Sequence, residues 1–351
     1  MTEFTMALLD WYDRNARDLP WRKERDPYRI WLSEIMLQQT RAETVIRYYL
    51  SFLDRFPTVS ALADADPVEV LKKWEGLGYY SRARNLMKAA KQVAAAGGFP
   101  RDAQGLRELP GVGEYTAGAI ASIAFGLPEP AIDGNQIRVL SRAFGVRMSA
   151  VSPEGKRALR QAALFALPPE RPGDFNQAMM GLGALICTPR PDCDHCPVRG
   201  FCDACRAGDA PSLPVLPPKA DKRPQQLAVA LIFRGGKVLV RRRPDEGLLA
   251  GLFEFPNFPG ARTEAEVREG LQELGVTTGT LAPAGSARHV FTHLVWRMDG
   301  WTADAFEASE GEFVDAEALK ALPFPTALKF FRERALEILE ARYKGDEPRK
   351  A

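Results

Sequence analysis

The first 186 residues contain no cysteine and none follows Cys205; all five lie in CTPRPDCDHCPVRGFCDAC, Cys187 to Cys205. A chain of 351 residues, 46% hydrophobic and 26% charged, can bury a sizeable core in two or three domains, so it needs no sulfur staples. A charged-then-apolar leader is missing from Met1–Asp10, and no run of 18 or more apolar residues occurs, which argues against secretion and membrane insertion. The expectation is a cytoplasmic protein with no membrane partner. In a reducing compartment, clustered thiols are metal ligands rather than disulfides.

A large net charge is also lacking: 47 Lys and Arg stand against 45 Asp and Glu. The charge is unevenly spread, however. Leu71–Lys91 carries six basic residues against Glu75 alone, and Asn135–Gln161 six against Glu154, whereas Ala261–Lys320 holds five against eleven acids. A basic first part and an acidic later part suit a first part that meets a polyanion; solvated helix faces would produce the same count.

Strand signals are scarce before residue 184. Amphipathic helical runs such as YRIWLSEIMLQQTRAETVIRYYLSFLDRF are separated by Pro and Gly at Phe56-Pro57, Gly76-Leu77-Gly78 and Gly97-Gly98-Phe99-Pro100. APSLPVLPPKADKRPQ then reads as a linker, and after Gln226 the texture turns β-rich, with LAVALIF, a Gly235-Gly236 turn, KVLVRRR, FEFPNF and HVFTHLVWRM. The expected domains are 1–210, mostly helical and including the cysteine loop 187–205, a linker at 211–226, an α+β domain at 227–343, and a tail at 344–351.

Cys187-x5-Cys193-x2-Cys196-x5-Cys202 offers four soft thiolates to an iron–sulfur cluster or to zinc. Zinc would use the pairs Cys193/Cys196 and Cys202/Cys205, but the span between them is short for a zinc ribbon. In LPGVGEYTAGAIAS the Gly111-Val112-Gly113 turn opens straight into a helix, where free N–H groups can grip a phosphate or simply make a tight turn. Glu34 sits in IWLSEIMLQQ among apolar neighbours: a buried carboxyl of raised pKa, suited to general acid work, or an acid on the helix's polar edge. Asp133, in PAIDGNQIRVLSR, is a helix N-cap or a second working carboxylate. Tyr79 and Tyr80, beside a glycine turn and the Arg82/Arg84 pair, suit base stacking or core packing.

Taken in order, LPWR (Leu19–Arg22), WLSEIMLQQT (Trp31–Thr40), GLGYYSRARNL (Gly76–Leu86), LPGVGEYTAGAI, IDGN (Ile132–Asn135), FNQAMMGLGALIC and the cysteine loop resemble the helix-hairpin-helix DNA glycosylase superfamily. Within it, the adenine DNA glycosylases of the MutY type are the most similar. The resemblance implies two helical subdomains plus an iron–sulfur loop, followed by a Nudix-like domain suggested by GLLAGLFEFPNF and by REGLQELGV at Arg268–Val276. It implies a monomer that acts on double-stranded DNA and excises adenine opposite 8-oxoguanine or guanine. Endonuclease III-like lyase activity, a noncatalytic iron–sulfur protein and a Nudix hydrolase are the rival readings.

By the same resemblance, Glu34 is the general acid, Asp133 stabilises the sugar cation, and Asn135 supports it. Tyr115 stands where strand-nicking relatives have a lysine, which implies a glycosylase without lyase activity. Trp21 and Arg22 would line the adenine pocket. Gln39 and Tyr79 would enter the base stack, Thr40 and Leu77 would touch the opposite base, and Gly111, Gly113, Arg190 and Arg199 would meet the backbone. Cys187, Cys193, Cys196 and Cys202 would hold a 4Fe-4S cluster, although the first gap is one residue shorter than the family's pattern and Cys205 is additional. Phe291-Thr292-His293 matches the family's 8-oxoguanine loop with Thr in place of Ser, and a plain strand is its alternative. Gln272 and Gly270 break the Nudix box, so the second domain is expected to recognise rather than hydrolyse.

Overall fold

The computed structural model describes residues 1–218, 220–309 and 311–343; the tail assigned to 344–351 lies outside them. The chain groups into two compact units: Met1–Ala65 with Asn85–Pro218, and Asp66–Arg84 with the residues beyond 218.

The first unit is helical, as its sequence periodicity leads one to expect. Helices α1 (Glu3–Asn15), α2 (Pro27–Leu37), α3 (Ala42–Arg55) and α4 (Val59–Ala63) precede the segment that groups with the second unit. That segment holds α5 (Pro67–Lys73) and the start of α6 (Ser81–Ala95). Then come α7 (Ala103–Glu108), α8 (Glu114–Phe125), α9 (Gly134–Ala143), α10 (Pro153–Ala166), α11 (Pro172–Leu185) and α12 (Asp203–Ala207). Short polar side chains start them: Asp26 accepts from the Arg29 N–H at 2.9 Å, Asp102 from Gly105 at 2.8 Å and Ser152 from Gly155 at 3.1 Å, each satisfying a donor the first turn leaves unpaired.

α2 and α8 are apolar on nearly every side and are therefore interior helices. They pack against each other, which brings Glu34 and Tyr115 face to face. A second core joins α1, α9, α10 and α11 through Leu8, Leu140, Phe175, Met179 and Leu182.

The second unit is built on an eight-stranded mixed sheet: β1 (Arg223–Arg234), β2 (Lys237–Arg242), β3 (Phe253–Glu254), β4 (Asn257–Pro259), β5 (Val276–Thr278), β6 (Ala282–Val290), β7 (Leu294–Ala308) and β8 (Glu312–Val314). The strand order is β3-β2-β1-β7-β5, with β4 on β1, β6 on β7 and β8 on β2. β1 and β7 run parallel from Arg223↔Leu294 to Phe233↔Asp304. Side chains alternate across β1: Leu227, Val229, Leu231 and Phe233 join the core with α14 (Ala316–Ala321) and α15 (Lys329–Tyr343), while Ala228, Ala230 and Ile232 join the core with α13 (Glu264–Glu273).

Two expectations need amending. β1 begins at Arg223, inside the stretch assigned to the linker, because backbone pairing with β7 continues past the apolar run into exposed residues. Residues 66–84, placed with the helical domain, group with the sheet. In the Nudix-like stretch, a Cβ on Gly270 would stand 2.7 Å from the Phe258 ring, so the aromatic side chain occupies the room an aliphatic residue would need there. Gln272 is exposed on α13.

Candidate active site

A cavity of about 430 Å³ opens in the first unit between α2, α8, α11 and the start of α9, a size suited to a small ligand. Trp21, Arg22, Glu34, Tyr115, Asp133 and Asn135 all line it, so the residues singled out from four separate motifs share one space. Trp21 is buried edge-on against Tyr49, ring centroids 5.5 Å apart. Arg22 lies over the Tyr12 ring at 5.7 Å.

Glu34 is 4% exposed, which excludes the polar-edge reading. Burial pushes its pKa up to about 7, the neighbouring Asp133 pushes the same way, and the Tyr115 hydroxyl and Arg22 oppose the rise. The Tyr115 hydroxyl donates a short hydrogen bond to Glu34 Oε2, with the Met180 thioether 3.9 Å away. Burial, aided by the Glu34 carboxylate, raises the Tyr115 pKa, so the phenol stays a donor. Asp133 is the N-cap of α9, and its second oxygen is held by a neighbouring side chain. Its Oδ1 caps α9 by accepting from the Gln136 N–H at 2.7 Å, and its Oδ2 accepts from Asn135 Nδ2 at 2.9 Å. Burial raises its pKa, while those same hydrogen bonds hold the rise back.

Residues with no role assigned from the sequence complete the surroundings. Arg138 donates to Asn135 Oδ1 at 2.9 Å, to Gly183 O at 2.6 Å and, through Nε, to Cys187 O at 2.6 Å. Asp133 is thereby joined through Asn135 and Arg138 to the backbone of the first cysteine. A Cβ on Gly183 would lie 2.6 Å from the Asn135 Cβ, so that glycine lets α11 close on the site. Gln177 and Met180 line the cavity from α11.

All five cysteines are unbridged and line one small cavity. The fully buried Arg142 guanidinium faces it, donating to Cys187 Sγ at 3.3 Å and to the carbonyls of Thr188, Pro189, Ala210 and Leu213. Arg190 and Arg199 are exposed on this loop, Arg199 bound to Asp194 at 2.7 Å.

Elsewhere in the first unit, Gly111 adopts φ +78°, and any Cβ there would lie 2.8 Å from the Asn85 Cβ. Gly113 is the N-cap of α8 and supplies no side-chain cap to its first turn. Among the described residues three non-glycines have positive φ: Gln39 (57°), Tyr79 (49°) and Leu249 (58°). Such strain gathers at functional sites, and two of the three are the residues expected to enter the base stack. Thr40 lines the cavity.

In the second unit, Leu77 is buried, whereas Tyr79 is 47% exposed and its hydroxyl meets Thr292 Oγ1 at 2.9 Å. Arg82 stacks between Trp74 and Tyr79 and donates to Leu77 O and Gly78 O, both at 3.1 Å. Phe291-Thr292-His293 forms the turn from β6 to β7 rather than a plain strand, closed by Phe291 N–H to Leu294 O at 2.9 Å. Phe291 packs edge-on between His289 and Trp296, and Thr292 and His293 are exposed.

A glycine hairpin feeding an interior helix, with a buried acid facing a capping aspartate across a cavity, defines the class of helix-hairpin-helix DNA glycosylases. Residues 32–163 match the HhH-GPD superfamily of base excision DNA repair proteins, and residues 228–333 match the NUDIX domain. A solved thermostable thymine-DNA glycosylase is 31% identical with a TM-score of 0.54, covering 58% of this chain and 95% of that one. Mouse adenine DNA glycosylase is 39% identical over 84% of this chain and 69% of its own length. That of Buchnera aphidicola from Acyrthosiphon pisum is 33% identical over 84% and 85%. The chain belongs to the adenine DNA glycosylases of base excision repair.

Proposed function

We propose that this glycosylase excises adenine paired with 8-oxoguanine or guanine and leaves an intact abasic site. The observation that carries the reading is Glu34, a buried carboxyl with a pKa near 7 in the same cavity as Asp133. Adenine leaves poorly as an anion, so its ring must be protonated as the C–N bond breaks, and an acid poised near neutrality can do this. The flipped adenine enters the cavity beside Trp21 and Arg22, and Glu34 gives its proton to a ring nitrogen. The bonding electrons depart with the base. The sugar's oxocarbenium charge then stands against Asp133, held in place by Asn135, before water attacks. Tyr115 donates to Glu34, and a phenol cannot form the Schiff base that strand nicking requires.

Gln39, Thr40, Leu77 and Tyr79 serve the opened duplex, and Gly111, Gly113, Arg190 and Arg199 its phosphates. The exposed Thr292 hydroxyl, with Phe291 and His293, reads 8-oxoguanine. The protein acts as a monomer on double-stranded DNA.

Cys187, Cys193, Cys196 and Cys202 hold a 4Fe-4S cluster in this reading. Support comes from five thiols around one cavity with a buried guanidinium against Cys187. Soft thiolates grouped in one loop are the donor set that an iron–sulfur cluster takes. When bound, the cluster supplies rigidity and backbone positioning, not hydrolysis.

The test uses labelled duplexes with A opposite 8-oxoguanine, guanine or T, divided into alkali-treated and untreated halves. Alkali-dependent breakage at the adenine of the first two is the expected result. Breakage without alkali would make the protein a lyase, and none on any duplex would overturn the substrate assignment.

A further inference from the structure

Asp133 lies on the connection between α8 and α9, a stretch poor in its own hydrogen bonds because Pro128 and Pro130 have no N–H to give. What fixes it is one side chain on α11. Asn176 is fully buried, and its amide uses all of its bonding capacity. Oδ1 accepts from the Ala131 N–H at 3.0 Å and from Gln136 Nε2 at 3.2 Å; Nδ2 donates to Ser122 Oγ and to Glu129 O, each at 2.9 Å. Gln136 Nε2 also reaches the Asn176 carbonyl at 3.2 Å.

These partners flank the carboxylate on both sides. Ala131 lies two residues before Asp133, and Gln136, three residues after it, supplies the N–H that caps Asp133 Oδ1. Ser122 is on α8, the helix that carries Tyr115 to Glu34. The same connection is pressed onto α8 at Gly118, where a Cβ would stand 2.2 Å from Pro130 O. Among the described residues the Gln136 Oε1 is buried without a hydrogen-bond partner, a costly arrangement that persists while its Nε2 serves Asn176.

We infer that Asn176 is a positioning residue that sets where the Asp133 carboxylate stands relative to the Glu34–Tyr115 pair. It does not line the cavity, so it acts indirectly, through the position of Asp133. The inference rests on the role proposed above for Asp133.

The experiment compares Asn176→Asp, which keeps shape and acceptor but loses both donors, with Gln136→Met, which removes only the second arm. Single-turnover cleavage of a duplex with A opposite 8-oxoguanine yields a rate constant and an active fraction, measured from about pH 6 to about pH 8. Binding is read separately with a non-cleavable 2′-fluoro-deoxyadenosine duplex. Displacements of the order of 1 Å cost about 100-fold, so a fall in the rate constant of roughly 10- to 100-fold is expected at every pH. Duplex affinity and the midpoint of the pH profile stay unchanged. A merely structural role would lower the active fraction and leave the rate constant of the remainder intact. Rate constants within about twofold of the parent for both variants overturn the inference. In an Asp133→Asn background, Asn176→Asp should slow cleavage no further. If Asp133→Asn alone cleaves at the parental rate, the role given to Asp133 fails instead.

Discussion

Replacing Glu34 with Gln should make the protein more stable as well as inactive, and the gain should depend on pH. In the folded protein burial carries the Glu34 pKa from 4.5 to about 7. The sign follows from linkage. Below pH 4.5 both folded and unfolded chains are protonated and nothing is lost. Between 4.5 and about 7 the unfolded chain releases its proton while the folded one retains it, and stability declines until it levels off above 7. A shift of that size corresponds to about 3 kcal/mol at the plateau. Gln has no charge to bury, and its carbonyl can still accept from Tyr115. Urea unfolding of the two proteins at about pH 5 and about pH 8 should show Glu34→Gln gaining about 2 to 3 kcal/mol more at the higher pH. Contributions that do not vary with pH cancel in this difference. An equal effect of the substitution at both pH values would mean that Glu34 titrates as an ordinary surface acid, and its role as a proton donor near neutrality would go with it.

Other outcomes can be checked independently. Base excision should itself decline as pH rises through about 7, the same carboxyl seen kinetically. Tyr115→Lys should allow borohydride to trap a protein–DNA adduct that the parent never forms. Thr292→Ala should reduce preference for 8-oxoguanine over guanine by about 10-fold while leaving affinity for undamaged duplex unchanged in competition binding. Gly118→Ala must displace the Pro130 carbonyl and should cost about 1 to 3 kcal/mol in chemical unfolding.

The helical first unit and the two-faced sheet were legible in periodicity, since burial alone dictates where apolar residues recur. Glu34 was legible because almost every neighbour in its run is apolar. The cap reading of Asp133 was legible from its place before a helical run, and capping uses only one of its two oxygens, which leaves the other turned to Asn135. Asn176, Arg138 and Arg142 escaped notice for a common reason: their partners are mostly backbone carbonyls and amides some 40 to 70 positions away, and a carbonyl bears no residue identity. The pairing of residues 66–84 with the sheet was equally hidden, because an amphipathic helix declares that one face is covered without saying by what.

That last pairing changes what a deletion would mean. Lys72 Nζ donates to Leu322 O at 3.3 Å, the Tyr80 hydroxyl to Phe324 O at 3.3 Å and Arg84 to Ala250 O at 2.7 Å, while Glu75 pairs with Arg332. A chain cut near Leu216 would lose not a detachable module but most of a unit whose remaining piece, residues 66–84, runs from just after α4 into the start of α6. Loss of lesion discrimination in such a fragment would report collapse of the Tyr79 loop as readily as loss of Thr292. The two segments must also be inherited together: a hybrid that exchanges one without the other brings mismatched halves to the turn where Tyr79 meets Thr292.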